Sequence, residues 1–114
     1  MEKVITISGK NYKMKASAMT QFIHKNDTGR SFLSDLQLLT ELEKKAEDDI
    51  SALDNVTELV LRIAYTMTKQ ADKEQYLSYE DFVDSIDNLY DNVNWIQEVI
   101  EFACSPISRQ LQKN

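Results

Sequence analysis

The residue types that could support nucleophilic catalysis are few and lie far apart in the sequence. The chain of 114 residues has one histidine, His24, and one cysteine, Cys104. A Cys–His pair can be catalytic because the imidazole removes the thiol proton. Cys104 ends an apolar run and is interpreted as a small core residue, whereas His24 precedes Lys25 and is interpreted as a surface residue. Without a phosphate-binding loop, zinc-ligand spacing or nucleophile motif, we expect no enzyme, no cofactor and no metal.

Residues 70–81 partly resemble the calcium-binding loop of an EF-hand. If Asp81 stands at loop position 12, Gln70 stands at position 1 and Gln75 at position 6. The first position then lacks its carboxylate, and the sixth lacks the glycine that makes the sharp turn. Calcium binding is therefore not expected. Ser78 and Asp81 are interpreted instead as the N-terminal cap of a helix.

Aspartates recur every three or four residues between positions 81 and 91. On a helix this spacing aligns carboxylates on one face, and like charges so placed cost about 0.2–0.5 kcal/mol per pair. The face is either simply solvated or a docking surface for a basic partner segment. Tyrosine and tryptophan in the same half of the chain are typical interface anchors. The predicted protein-binding residues are Asp81, Asp84, Asp87, Asp91, Tyr90 and Trp95.

The element that opens the chain is predicted to be a β-hairpin over residues 4–15. Residues 4–7 (VITI) are β-branched, which favours a strand. The tetrapeptide SGKN follows as a turn, in which Gly9 and Asn11 tolerate positive φ. A lone hairpin is marginal in water, so this one must pack on a helix or join a partner's sheet.

Two helices are predicted to follow the hairpin, over residues 16–27 and 30–48. The first carries Phe22 and Ile23 on its apolar side, by the spacing of its hydrophobic residues. Gly29 suits the point where this helix ends. The second helix ends in a highly charged stretch that we expect to lie in water.

The third helix has the clearest periodicity and is expected to be central. It begins at residue 51 or 54, ends at 71, and repeats apolar residues at i, i+3, i+4, i+7, i+8 and i+11 from Val56. A fourth helix begins after Ser78 and is predicted to continue to a break near Asp91. A last helix follows and is predicted to end at Pro106.

The composition agrees with one helical domain. Two glycines and one proline are too few for a sandwich or barrel, which needs frequent turns. The predicted fold class is therefore mainly α, with four to five helices and an N-terminal two-stranded β-hairpin. Residues 1–106 are expected to form a single domain, followed by a polar tail at 107–114.

Charge and hydropathy narrow the expected partners. Nineteen acidic residues against 13 basic ones give a net charge of −6, which does not favour binding to nucleic acid. No apolar stretch approaches the length of about 18 residues that a membrane span needs, and the N-terminus lacks the apolar run of a signal peptide. One cysteine allows no internal disulfide, which fits a reducing cytosol.

Four sequence segments, taken in order, resemble the tail assembly chaperones of long-tailed phages and prophages of Gram-positive bacteria. The segments are ITISGKNY at 5–12, KNDTGRSFLSDL at 25–36, LRIAYTMTKQAD at 61–72 and YEDF at 79–82. The first segment is similar to the family's N-terminal hairpin, and the second to a segment in which a lysine is followed by a glycine and then by Asp-Leu. The third is similar to the family's signature central helix, and the fourth to its acidic, aromatic C-terminal part. Tyr65 departs from the pattern, because the family more often has tryptophan there.

The resemblance implies a non-enzymatic protein of the host cytoplasm. Such chaperones bind the tape measure protein, keep it soluble, help to recruit tail tube subunits, and are absent from the finished tail. The expected partners are thus the tape measure protein and the tail tube protein, with no nucleic acid and no membrane. Coating one long chain requires many copies, so weak homo-oligomerisation is expected. Two other functions stay open: a structural tail component, and a small acidic regulatory protein that binds a host factor.

Overall fold

The computed structural model describes residues 1–74 and 77–112, with side chains described up to residue 107. Gln75 and Tyr76 lie outside the described residues, and so does the end of the predicted polar tail at 113–114. The described residues form two strands and five helices, as the sequence predicted. These are β1 (Glu2–Ile7), β2 (Lys10–Lys15), α1 (Ala18–Thr28), α2 (Phe32–Ala46), α3 (Ser51–Ala71), α4 (Tyr79–Asp84) and α5 (Asn94–Gln112).

The N-terminal hairpin is confirmed, with a tighter turn than predicted. Strands β1 and β2 are antiparallel and pair Ile5 with Tyr12 and Ile7 with Lys10. The turn consists of Ser8 and Gly9 alone, at φ 53° and 79°. Positive φ at both positions is the pattern of a type I′ turn, whose twist matches that of the strands. The prediction that Asn11 belongs to the turn is therefore wrong.

The inner face of the hairpin packs on helices, which satisfies its need for a partner surface. Ile5, Ile7 and Met14 are completely buried. They belong to one cluster of buried apolar side chains to which α2, α3, α4 and α5 also contribute. Strand β2 contacts α3, and β1 contacts α5. The outer face is exposed and carries Val4, whose side chain is 54% accessible.

Helix α3 is central, as its periodicity predicted. Its apolar stripe is buried along the whole helix and includes Val56, Val60, Ile63 and Met67. The helix contacts α1, α2, α4, α5 and β2. No described helix combines the length and apolar character needed to cross a membrane.

Helix α4 is much shorter than predicted and ends at Asp84. Its start is confirmed, because the Ser78 side chain accepts a hydrogen bond from the backbone N–H of Asp81 at 3.1 Å. Two backbone groups that would continue the helix are bound to the hairpin instead. The carbonyl of Ser85 accepts from Lys10 Nζ at 2.7 Å, and the N–H of Asn88 donates to Ser8 Oγ at 3.0 Å.

Helix α5 continues through Pro106 to Gln112, so the prediction that Pro106 ends it is wrong. Proline lacks the N–H that would bond to the carbonyl four residues earlier, which here is that of Phe102. Ser105 Oγ donates to this carbonyl at 2.7 Å. The hydroxyl thus replaces the missing backbone donor, and the position predicted to close the domain lies within a helix.

Candidate functional site

The four predicted aspartates do not share a helix face. Asp81 and Asp84 lie on α4, whereas Asp87 and Asp91 lie in the connection between α4 and α5. The alignment predicted from their spacing fails because α4 ends at Asp84. All four side chains are exposed and, with Glu80, make residues 80–91 an acidic surface segment. Binding of a basic partner to this segment stays a prediction.

The two predicted aromatic anchors have different environments. Trp95 is only 2% exposed, and its indole Nε1 donates to the carbonyl of Leu89 at 2.9 Å. It therefore belongs to the core, and its assignment as a surface binding residue is wrong. Tyr90 is 43% exposed, and its hydroxyl lies 3.0 Å from Thr57 Oγ1. Tyr90 is therefore the member of the pair that offers aromatic surface to a partner.

His24 is buried, so its assignment as a surface residue is also wrong. Its Nε2 lies 2.8 Å from Asp35 Oδ2, and the same carboxylate accepts from Arg30 Nε at 3.0 Å and Nη2 at 2.6 Å. Burial alone would raise the pKa of Asp35, but the hydrogen bonds from Arg30 and His24 hold it below its ordinary value. The carboxylate is ionised near neutral pH and has no proton to give, so His24 Nε2 is the donor.

The arrangement of His24 does not activate Cys104. One ring nitrogen bonds Asp35, and the other, Nδ1, is buried with no hydrogen-bond partner among the described residues. Cys104 is partly buried, and burial followed by the charge of Glu43 raises the pKa of its thiol. A raised pKa disfavours the thiolate, which is the nucleophilic form. Within the described part of the chain, no three acidic, histidine or cysteine side chains are grouped as metal ligands.

Helix α1 exposes the side that the sequence predicted to be buried. The predicted apolar face contained Phe22, which is 58% exposed, and Ile23, which is half-buried. The helix instead buries Thr20 and His24. Thr20 Oγ1 donates to Gln70 Oε1 at 2.7 Å, and His24 bonds Asp35. These partners supply hydrogen bonds that allow two polar side chains to be buried without a large cost.

This inversion creates an exposed apolar surface, formed by Met19 and Phe22 on α1 and Leu33 on α2. We call it the α1–α2 apolar surface. Met19 is 56% exposed and Leu33 is 52% exposed. Adjacent exposed apolar side chains are the kind of surface through which proteins bind one another. Beside them runs a groove of about 540 Å³ between α1 and the C-terminal end of α3.

Sequence reasoning missed this surface because it scored only apolar positions. The polar row Ser17, Thr20 and His24, at helical spacing, was the signal that could have revealed it. Ser17 caps α1 in a reciprocal capping box with Thr20. The cap fixes where the helix begins, and the two buried residues that follow fix which side faces inward.

Comparison of the chain with protein-family models, with curated proteins and with solved structures finds no match. The functional assignment therefore depends on the sequence resemblance and on the surfaces described above.

Proposed function

We propose that the chain is a phage tail assembly chaperone that binds the tape measure protein, keeps it soluble, and helps to recruit tail tube subunits. On this proposal it acts in the host cytoplasm and is absent from the finished tail. The single observation that carries the proposal is the α1–α2 apolar surface, formed by Met19, Phe22 and Leu33. A protein that shields apolar segments of another chain needs an exposed apolar surface of its own.

The segments that carry the family resemblance lie at structurally defined positions. Residues 5–12 span the hairpin turn, and 79–82 begin α4. Residues 25–36 join α1 to α2 and contain Arg30, which lies in the connection between the two helices and pairs with Asp35 of α2. Residues 61–71 form the second half of α3, against which α1 packs, and residue 72 follows the helix. The four similar segments thus contain parts of the hairpin, the α1–α2 connection, α3 and α4.

The charge of the chain supports the same proposal. A tape measure protein is a long helical chain with apolar stripes that tend to aggregate. A domain that covers a stripe with one face and presents net charge −6 elsewhere keeps the complex soluble through repulsion between complexes. Many copies along one partner would multiply this effect.

A second candidate, a small acidic regulator of a host factor, is favoured by the acidic segment at 80–91 together with exposed Tyr90. Such a protein would bind a basic surface and would not need the α1–α2 apolar surface. The two proposals therefore differ in which surface a partner covers.

Co-expression with the tape measure protein encoded nearby tests the proposal. The chaperone proposal expects the soluble fraction of the tape measure protein to rise and the two proteins to co-purify. Unchanged solubility with no recovered complex would contradict it. Purified particles provide a second test, since a chaperone is absent from them and a structural tail component is present.

A further inference from the structure

We propose that the groove between α1 and α3 receives the apolar face of an amphipathic helix whose flanking residues are acidic. This inference rests on the proposed chaperone function and names the chemistry of the partner segment. It concerns a surface distinct from the acidic segment at 80–91, to which a basic partner would be drawn.

The shape of the groove fits a helix. One wall is α1, which contributes Met19, Phe22 and Ile23. The other wall consists of Lys69 at the end of α3 and Lys73 just beyond it. Helix α1 has 11 residues, so this wall is roughly 16 Å long, which matches about three turns of a partner helix. Side chains at i, i+3 or i+4, and i+7 of that helix would lie along Phe22.

The groove is held in shape by buried hydrogen bonds between its walls. Gln70 of α3 accepts from Thr20 Oγ1 at 2.7 Å and donates through Nε2 to Ser17 Oγ at 2.8 Å. Thr20 and Gln70 are both buried beneath the apolar wall. A preformed groove lowers the entropy cost of binding, because its walls need not be ordered when the partner arrives.

The charges around the groove favour an acidic partner. Of the described residues that line it, Lys69 and Lys73 are cationic and Asp27 is the one carboxylate. Asp27 Oδ2 pairs with Lys69 Nζ at 3.1 Å. Exposed Lys25 lies beside Phe22 and Leu33 on the neighbouring part of the surface. The two lysines and one aspartate of the lining give the groove a net charge of +1 in a chain of net charge −6, and this favours carboxylates beside the apolar face of the partner.

Two designed peptides test the inference with the full chain. Each is an amphipathic helix of about 14 residues with the same leucine stripe, one flanked by glutamates and the other by lysines, and binding is followed by fluorescence anisotropy. We expect the glutamate-flanked peptide to bind more tightly, and Phe22→Ser to weaken it about tenfold. The double variant Lys25→Glu, Lys73→Glu should lose or reverse the preference for the glutamate-flanked peptide.

The matched control is Val4→Ser, because Val4 is as exposed as Phe22 but lies on the outer face of the hairpin. Both side chains are on the surface, so both variants should unfold at the same temperature as the parent chain. Tighter binding of the lysine-flanked peptide would contradict the proposal that the groove binds an acidic amphipathic helix. Equal affinity of the parent chain and Phe22→Ser for the glutamate-flanked peptide would contradict it as well.

Co-expression with the tape measure protein separates the two proposals. If the parent chain keeps that protein soluble while Phe22→Ser has no effect on peptide binding, the groove proposal fails and the chaperone proposal stands. If the glutamate-flanked peptide binds at Phe22 while the tape measure protein stays insoluble, the groove stands and the proposed function fails.

Discussion

His24 Nε2 donates a hydrogen bond to Asp35 Oδ2 across 2.8 Å, and both side chains are buried between α1 and α2. This contact fixes the rotation of α1 about its axis, because the histidine reaches the carboxylate only from the inward side of the helix. Phe32 packs edge-on against the His24 ring, with centroids 5.3 Å apart. With the polar side of α1 turned inward, Phe22 is turned outward.

Replacing Asp35 by asparagine should destabilise the fold. The change removes the charged carboxylate that accepts hydrogen bonds from Arg30 and His24. It also places an amide N–H group, which can only donate, close to those donors. Arg30 is more than half exposed, but Asp35 and His24 are buried, and leaving a buried donor without its charged acceptor costs about 1–3 kcal/mol in the free energy of unfolding. Urea denaturation measures the loss. Asp48→Asn is the matched control, because Asp48 is exposed, and a change there should stay within about 0.5 kcal/mol.

The stability of the chain should depend on pH through Asp35. Its hydrogen bonds hold the pKa of Asp35 below the ordinary value of 3.8 despite the opposing effect of burial. The folded state therefore binds this proton less tightly than the unfolded state does. The contribution is present above the unfolded pKa and is lost as pH falls through the lower folded pKa.

Thermal unfolding of the parent chain and of Asp35→Asn, compared between pH 6 and pH 2, measures this effect. The difference in stability between the two should shrink as the carboxyl of the parent becomes protonated. A difference that stays constant over the whole interval would contradict the assignment.

Replacement of Gly29 should lower the free energy of unfolding, and the backbone conformation of this residue should be the only cause. It ends α1 at φ 73°, and a Cβ added there would meet no atom within 4 Å. Gly29→Ala should therefore cost about 1 kcal/mol from left-handed strain without steric overlap. Gly29→Asn should cost less, since asparagine adopts this conformation more readily. Equal losses for the two variants in chemical denaturation would argue against this explanation.

Trp95 should stabilise the connection between α4 and α5. Its Nε1 donates to the carbonyl of Leu89, and phenylalanine would keep an aromatic ring but lose this bond and part of the buried volume. We expect Trp95→Phe to cost about 1–2 kcal/mol and to speed amide hydrogen exchange within residues 85–93. Exchange that accelerates equally in α3 would indicate a global effect instead.

Local patterns were sufficient to predict the elements whose partners are apolar. The hairpin and α3 follow from β-branched residues near Ile5 and from the repeating spacing that begins at Val56, because burial of one regular face decides both. Gly9 at the turn was also predictable, since two-residue hairpin turns require positive φ.

The remaining features depend on residues that are distant in the sequence. Helix α4 ends where the chain contacts the hairpin: Lys10, which lies 75 positions away, donates to the carbonyl of Ser85. The orientation of α1 depends on Asp35, which lies on another helix. The spacing of apolar residues within α1 therefore could not predict that His24 is buried and Phe22 is exposed. The predicted aspartate face failed for the same reason, since its spacing has meaning only while the helix continues.

The most direct test of the account is co-expression of the tape measure protein with the parent chain, with Phe22→Ser and with Val4→Ser. We predict that the parent and Val4→Ser recover soluble tape measure protein in equal amounts and co-purify with it, while Phe22→Ser recovers markedly less. Recovery that is the same for all three chains, or absent with the parent chain, would contradict the claim that the α1–α2 apolar surface shields this partner.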